Sequence, residues 1–564
     1  MAEKIVIYQV LPRLYGNKNK RLVKGGTKRQ NGCGKFASFT QKRLEDIRNL
    51  GATHIWFTGI LEHATQTDYS KYAIRKDNPS LVKGLAGSPY AIKDYYDVDP
   101  DLAENVSKRI NEFESLVNRT HRCGLKVMMD FVPNHVARQY YSDSSPKGVE
   151  NFGEKDDVTK NFSSGNNFYY IENTSFHSPQ SENGNENEKY YESPAKATGN
   201  DCFSPNPGKF DWYDTVKLNY GVDYIDGGSK HFNPIPNTWE KMYEILIYWS
   251  AKGVDAFRCD MSEMVPVEFW HWAISKVKEA YPSVMFVAEI YNPFLYNSYI
   301  NYGGFDYLYD KVGLYDKLRA VIVGHSPANE ITNCWQRLGE LQKNMLNFME
   351  NHDEQRIASD FFAGNAKCGK PAMIVSALMN VNPVMIYSGQ EYGERGMDYE
   401  GYSGIDGRTT IYDYWSPLKI RKALFYPQEL TEEEKELKEF YTVLLSKVCK
   451  NKAVSSGYFF DLTYCNLSDY SKYPFDKLYS FLRKKGKELL LVVANFDGNS
   501  RGAYVKIPAH AFDYMNIEEG MYKCKNILDC NANAISEHLV PECSIRVEVP
   551  ALSGLVLRFV KQSC

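Results

Sequence analysis

Four apolar runs in this chain each end in charged or imidazole side chains, and no other feature limits the fold so strongly. They are Asp130-Phe131-Val132-Pro133-Asn134-His135, Gly253-Val254-Asp255-Ala256-Phe257-Arg258-Cys259-Asp260, Phe286-Val287-Ala288-Glu289 and Phe348-Met349-Glu350-Asn351-His352-Asp353. A buried strand that finishes in carboxylates is costly unless those groups have partners or work to do. A (β/α)8 barrel produces this pattern, because its active site is built on the C-terminal ends of its strands.

The rest of the chain agrees. Strand-like and helix-like segments alternate over roughly the first 450 residues, the sign of βα units. Ile5–Leu11, Thr53–Phe57, Leu125–Phe131, Val254–Cys259, Val284–Ala288, Tyr307–Leu308, Leu346–Met349 and Val384–Tyr387 read as eight strands. Helical spacing of apolar residues marks Thr40–Leu50, Ser107–Cys123, Asn237–Ser250, Val267–Ala280, Leu314–Val323, Ile331–Lys343 and Pro371–Met379. Thr431 and Glu434 form a capping box before a last helix that closes the barrel. From 136 to 236 periodicity is lost in favour of Asn, Ser, Gly, Lys and Tyr. A bare loop of that length is implausible, so the segment is expected to be a lobe overhanging the strand ends. Beyond 452 short apolar runs separated by turns predict an all-β domain. The expected architecture is thus α/β. A TIM barrel (1–135 and 237–451) carries a lobe inserted after the third strand (136–236) and a C-terminal β-sandwich (452–564).

Composition narrows the partners. A formal net charge of −3 carries no basic excess, which argues against nucleic acid and anionic membrane. No window approaches the roughly 20 apolar residues of a membrane span. No export signal precedes the strand-like Ile5-Val6-Ile7-Tyr8, and the 12 Cys lack CxxC or zinc spacing, so a reduced cytoplasmic protein is expected. The 42 Tyr offer flat faces with polar rims, suited to sugar rings, although most must serve cores and loops. Nothing in the sequence specifies an oligomeric state.

Residues two apart on a strand share a face, so Arg258 stands beside Asp260. A guanidinium there keeps a carboxylate ionised, as a nucleophile must be, although an isolated Arg-x-Asp is more often a structural ion pair. Glu289 follows an apolar strand, where low dielectric raises a carboxyl pKa and suits a general acid; a helix or turn cap is the plainer alternative. His135, His352 and Asp353 lie at other strand ends. No His pair has i,i+4 zinc spacing, so hydrogen bonding to substrate hydroxyls is the better reading.

Together the four strings resemble the α-amylase superfamily, glycoside hydrolase family 13. The resemblance spans essentially the whole chain and extends to Ser88-Pro89-Tyr90 with Asp94-Tyr95-Tyr96, to Trp212–Asn219 and to Ser388-Gly389-Gln390-Glu391. It implies Asp260 as nucleophile, Glu289 as acid/base and Asp353 as transition-state stabiliser. It likewise implies Arg258, His135 and His352 around the sugar at the cleaved bond, Tyr90 stacked beneath that sugar, and Asp130 in support. The implied mechanism is retaining, with the two reacting carboxyls about 5–5.5 Å apart. Gln390 and Glu391 are expected to be structural.

The match departs in places. Where many α-amylases carry Lys-His after the nucleophile, this chain has Met261-Ser262-Glu263-Met264. Asn134 matches a frequent calcium ligand, but the loop Tyr15–Lys20 is basic and lacks the acidic alternation of a calcium loop. No cofactor or required metal is therefore expected. The default substrate is an α-1,4-glucan or maltooligosaccharide. An exo-acting α-glucosidase or a transglycosylase would use the same three acids. A non-catalytic binding or transporter-associated relative would usually lack one of them, and all three are present.

Overall fold

The computed structural model describes residues 3–180, 190–397 and 401–562. Residues 181–189 of the expected lobe, and the extreme ends of the outer spans, lie outside that range. Eight strands form a closed barrel: β1 (Val6–Val10), β2 (His54–Phe57), β3 (Lys126–Phe131), β4 (Ala256–Cys259), β5 (Met285–Ala288), β6 (Tyr307–Tyr309), β7 (Met345–Phe348) and β8 (Val384–Tyr387). Every pairing is parallel, each strand lies beside the next in sequence, and β8 closes on β1. These are the eight strands the alternation predicts. Apart from Lys126 and Tyr307 at the starts of β3 and β6, they are buried throughout, as a parallel sheet covered by helices requires.

The helices follow the apolar spacing, with two informative differences. The run expected as one helix over Ile331–Lys343 is split. Thr332–Leu338 is α-helical, then Gly339 takes a positive φ of 52° and the chain continues as a 3₁₀ turn, Gly339–Asn344. The helix expected from Leu314 begins instead as a π-turn, Lys311–Tyr315, because the Asp310 side chain accepts the Leu314 amide at 2.8 Å. The closing helix Glu432–Val443 carries the expected capping box, with the Thr431 hydroxyl and the Glu434 carboxylate each accepting the other's backbone N–H. Its continuation packs on Gly51, whose φ of 118° ends helix Gln41–Leu50. A Cβ at Gly51 would lie 2.5 Å from the Leu445 carbonyl carbon.

Between β2 and β3 stands an antiparallel pair, Leu61–His63 with Ile92–Val98, which periodicity did not reveal. Ile92–Val98 is buried on both faces although it contains Lys93, Asp94 and Asp97, so it has no polar side to alternate with. After β3 the lobe is held by three short ladders. His135–Ala137 pairs with Thr215–Lys217, Tyr170–Ile171 with Ala195–Lys196, and Val222–Asp223 with Ser229–Lys230.

The C-terminal region is an antiparallel domain of two unequal sheets, one six-stranded and one a pair, Arg501–Lys506 with Ser544–Val549. Strand Glu488–Asn495 shows how it sits. Leu489, Leu491 and Val493 enter the domain's own core, while Leu490, Val492 and Ala494 join the barrel core. The large sheet is thus buried on both faces, which is why this strand reads as an unbroken apolar run.

Candidate active site

Asp260 and Glu289 each stand one residue beyond adjacent strands whose last residues, Cys259 and Ala288, are register partners. The ladder continues past the strands. Asp260 N–H donates to the Phe131 carbonyl at 2.9 Å, and Glu289 N–H to the Cys259 carbonyl at 3.0 Å. Two carboxyls are therefore fixed at the same height on neighbouring strands. Asp353 arrives from the turn after β7. There the Asn351 side chain accepts the Asp353 and Glu354 amides at 2.9 Å, and Glu350 is tied to Arg356 and the Ile357 amide at 2.8 Å.

Arg258 binds the acids together from beneath. It is fully buried, with Nη1 2.5 Å from Asp260 Oδ1, Nη2 2.8 Å from Glu289 Oε2, and Nε donating to the Tyr309 hydroxyl at 3.2 Å. Asp130, its register partner on β3, lies 3.7 Å from Nη1. Asp130 also accepts from Trp56 Nε1 and the Gly59 amide at 3.2 Å, and from Tyr90 OH at 3.3 Å. Its carboxyl is nonetheless raised to about 6, because burial outweighs the guanidinium and the donors. Burial likewise pushes Asp260 well above the usual carboxylate range; Glu289's charge adds to the shift and Arg258 opposes it. One shared cation does not fully offset the desolvation of Asp130 and Asp260.

Glu289 does not lie in the apolar setting its strand suggests. Tyr291 OH donates to Oε1 at 2.6 Å and Met261 N–H to Oε2 at 2.9 Å, beside the ion pair with Arg258. Met261 reaches this position with a φ of 42°. Glu263 accepts the Tyr291 and Asn292 amides at 3.1 and 3.0 Å, which fixes the loop that carries Tyr291.

The three acids open on one cavity of about 260 Å³, whose wall includes Tyr90 and His135. The structure thus brings together all seven residues singled out from sequence, but in two layers. Asp260, Glu289, Asp353, Tyr90 and His135 line the cavity; Arg258 and His352 stand behind the wall, Arg258 against Asp260, Glu289 and Tyr309, and His352 against Tyr90 and Gln9. His352 stacks on Tyr90 (ring centroids 5.3 Å, 24°), approaches Asp353 Oδ2 at 3.1 Å, and has Gln9 Nε2 2.8 Å from its Nδ1. Burial, aided by Arg258, lowers its pKa to about 3; burial, aided by Lys217 and Lys83, does the same to His135. Gln390 and Glu391 lie elsewhere, holding Tyr387, Tyr441, Tyr8 and Gly389.

Sequence reasoning missed several wall residues. Lys83 and Asp214 form an ion pair at 3.0 Å, and Trp212 sits 5.1 Å from the His135 ring. Tyr412 and Ile411 come from the loop after β8, Tyr291 from the loop after β5. Tyr291, two residues past a strand-end acid, carried a usable signal, as did Trp212 and Asp214 within the string Trp212–Asn219. The lobe aromatics Phe168, Tyr169 and Tyr170 are buried, Phe168 and Tyr170 in the core cluster shared with the barrel.

Asn134 does not fit a calcium ion. Its Oδ1 accepts from the Lys217 ammonium at 2.9 Å, its Nδ2 donates to the Gly199 carbonyl at 2.7 Å, and Lys217 is itself paired with Asp201. A fixed ammonium already supplies positive charge where that cation would stand.

Residues 9–447 match the family model described as "Alpha amylase, catalytic domain". A 92-residue stretch is 34% identical to an alpha-1,4-glucan:maltose-1-phosphate maltosyltransferase of Cereibacter sphaeroides, covering 15% of this chain and 16% of that protein. Over 523 residues the chain is 21% identical to Neopullulanase 2 of Thermoactinomyces vulgaris, covering 90% of this chain and 72% of that one. The chain thus spans only about a sixth of the first relative and under three quarters of the second. The solved structure of a noncanonic maltogenic alpha-amylase from Thermotoga neapolitana superposes with a TM-score of 0.62 at 20% identity, covering 99% of each chain.

Proposed function

The chain belongs to the alpha-amylase catalytic-domain family, and from that premise we propose that it is a retaining glycoside hydrolase acting on α-glucans or maltooligosaccharides, by default at α-1,4 bonds. The observation that carries the proposal is the convergence of Asp260, Glu289 and Asp353 on one cavity beside Tyr90 and His135. In this reading Asp260 attacks the anomeric carbon while Glu289 protonates the leaving oxygen. Water then displaces the covalent glycosyl intermediate with Glu289 acting as base. Asp353 stabilises the oxocarbenium-like charge, and Tyr90 and His135 hold the sugar. Arg258 and His352 position the acids rather than the substrate. We assign 1–135 and 237–451 to the barrel, 136–236 to a lobe that lends Trp212, Asp214 and Thr215 to the cavity wall, and 452–564 to a domain that buttresses the barrel. Buried thiols such as Cys259 and Cys449 suit a reducing, cytoplasmic setting, and among the described residues no helix is long and apolar enough to cross a membrane.

A second reading, exo-action by an α-glucosidase, is favoured by the modest cavity, below the roughly 300–1,000 Å³ of common ligand pockets. Turnover of a nitrophenyl maltooligosaccharide tests the proposal. Glu289→Gln and Asp260→Asn are each expected to lower kcat by about 10²–10⁴-fold, and proton NMR should show the α-anomer released first. Full activity in Glu289→Gln, or the β-anomer first, overturns it. Products from maltoheptaose separate endo from exo action.

A further inference from the structure

Away from the cavity, on the antiparallel pair between β2 and β3, Glu62 is a buried carboxylate without a partner. The residue is 1% exposed, and neither carboxylate oxygen has a hydrogen bond. It points into a group of acids. One carboxylate oxygen each from Glu62, Asp97 and Asp143 lie within 4.8 Å of one another. Asp94, the register partner of Glu62, stands beside them.

The neighbours do not neutralise this group. Arg109 grips Asp97 through Nε at 2.8 Å and Nη2, and lies 3.6 Å from Asp143. Lys93 is held by Asp77 at 3.1 Å and by the Arg75 carbonyl. Asp94 is satisfied by neutral donors: the Tyr96, Asp143 and Ser144 amides and the Ser142 hydroxyl. Five carboxylates thus face two cations, and the one without any donor, Glu62, is almost fully buried. A protonated Glu62 would still leave a buried O–H and a buried carbonyl unpaired, each a cost. A cation removes both problems.

We propose that Glu62, Asp97 and Asp143 form a binding site for one hard divalent cation of the calcium class. Three carboxylate oxygens no more than 4.8 Å apart suit an ion that takes oxygen ligands at about 2.3–2.6 Å, with the remaining positions open to water on the exposed Asp143 side. Mg²⁺, which demands near-ideal octahedral geometry at shorter distances, fits less well. The ion would tie strands Leu61–His63 and Ile92–Val98 to the loop Ser142–Ser144, at the root of the lobe. The site is distinct from Asn134, where Lys217 already supplies the positive charge, and it rests on no reading of the catalytic acids.

The test uses the full chain freed of metal by chelator. Calcium titrated calorimetrically should bind one ion per chain at this site, and saturating CaCl2 should raise the melting temperature by at least about 2 °C over NaCl of equal ionic strength, with MgCl2 giving less. Glu62→Gln and, separately, the exposed Asp143→Asn should abolish both the heat and the shift while leaving the near-UV circular dichroism unchanged. No calcium-specific heat or shift in the wild type overturns the proposal and leaves Glu62 as a trapped neutral acid. Calcium binding that survives in both variants overturns it equally.

Discussion

Arg258 is the point where a small change has the most legible consequence. Its guanidinium makes two short contacts on different strands, 2.5 Å to Asp260 and 2.8 Å to Glu289, from a fully buried position. A lysine ammonium is a point charge on a flexible stem and reaches one of those acids, not both. Arg258→Lys therefore leaves one buried carboxylate short of its partner cation, a loss of about 3 kcal/mol. Expressed in kcat/KM at neutral pH that is roughly a hundredfold. Arg258→Met keeps the bulk and removes the charge. Because an adjacent guanidinium holds a carboxyl down by about 1–3 pH units, its removal moves the acid limb of the rate profile upward by that amount. Asp260 is already pushed up by burial and by Glu289, so the proposed nucleophile would be protonated further into the neutral range, and each unit costs about tenfold in rate below the limb. The profile of kcat/KM between pH 4 and 9 on a nitrophenyl maltooligosaccharide reads this directly, with near-UV circular dichroism confirming the fold. Arg258→Lys should fall between wild type and Arg258→Met. If both variants keep the wild-type acid limb while losing rate, Arg258 does not set the ionisation of the pair, and the positioning role given to it is refuted.

Two further outcomes follow from the same contacts. His135 and His352, each lowered to about 3 by burial and neighbouring cations, should stay neutral in ring-nitrogen NMR down to about pH 4, and an imidazolium signal at pH 5 would contradict the geometry. Unfolded imidazoles take up protons near 6.5 and these folded ones only near 3, so the stability tied to their neutral form is complete above about pH 6.5 and is lost as pH falls through that window. Lys217→Met removes the ammonium held by Asn134 and Asp201, leaves a buried amide oxygen unpaired, and should destabilise the chain by about 1–3 kcal/mol in denaturant unfolding. Stability equal to wild type would mean that Lys217 does not hold the lobe's root.

What was legible in the sequence was what repeats or what is costly. The eight barrel strands are buried almost throughout, so they stand out as short apolar runs, and the acids at their ends stand out because a strand end rarely tolerates them. Arg258 and Asp260 were readable as neighbours from the two-residue period alone. The arm Leu61–His63 with Ile92–Val98 was not, because its buried face is charged: Lys93, Asp94 and Asp97 read as surface while the fold encloses them. Tyr412, Lys83 and Asp214 come from loops, where no period exists and only the closed barrel decides what meets.

The same distinction separates the two layers of the site. Sequence spacing places a residue at a strand end but does not say whether its side chain faces the cavity or the groups beneath it. Arg258 and Asp260 share a face, yet the longer side chain folds under Asp260 and Glu289 and leaves the carboxylates exposed to the cavity. His352 and Asp353 are consecutive, and the turn fixed by Asn351 sends one ring behind Tyr90 and one carboxyl into the cavity. The division of labour is thus a consequence of what each group must satisfy. A guanidinium has donors to spend and no water to spend them on, so it goes to the carboxylates. Those acids keep their remaining lone pairs on the side where a glycosidic bond would lie.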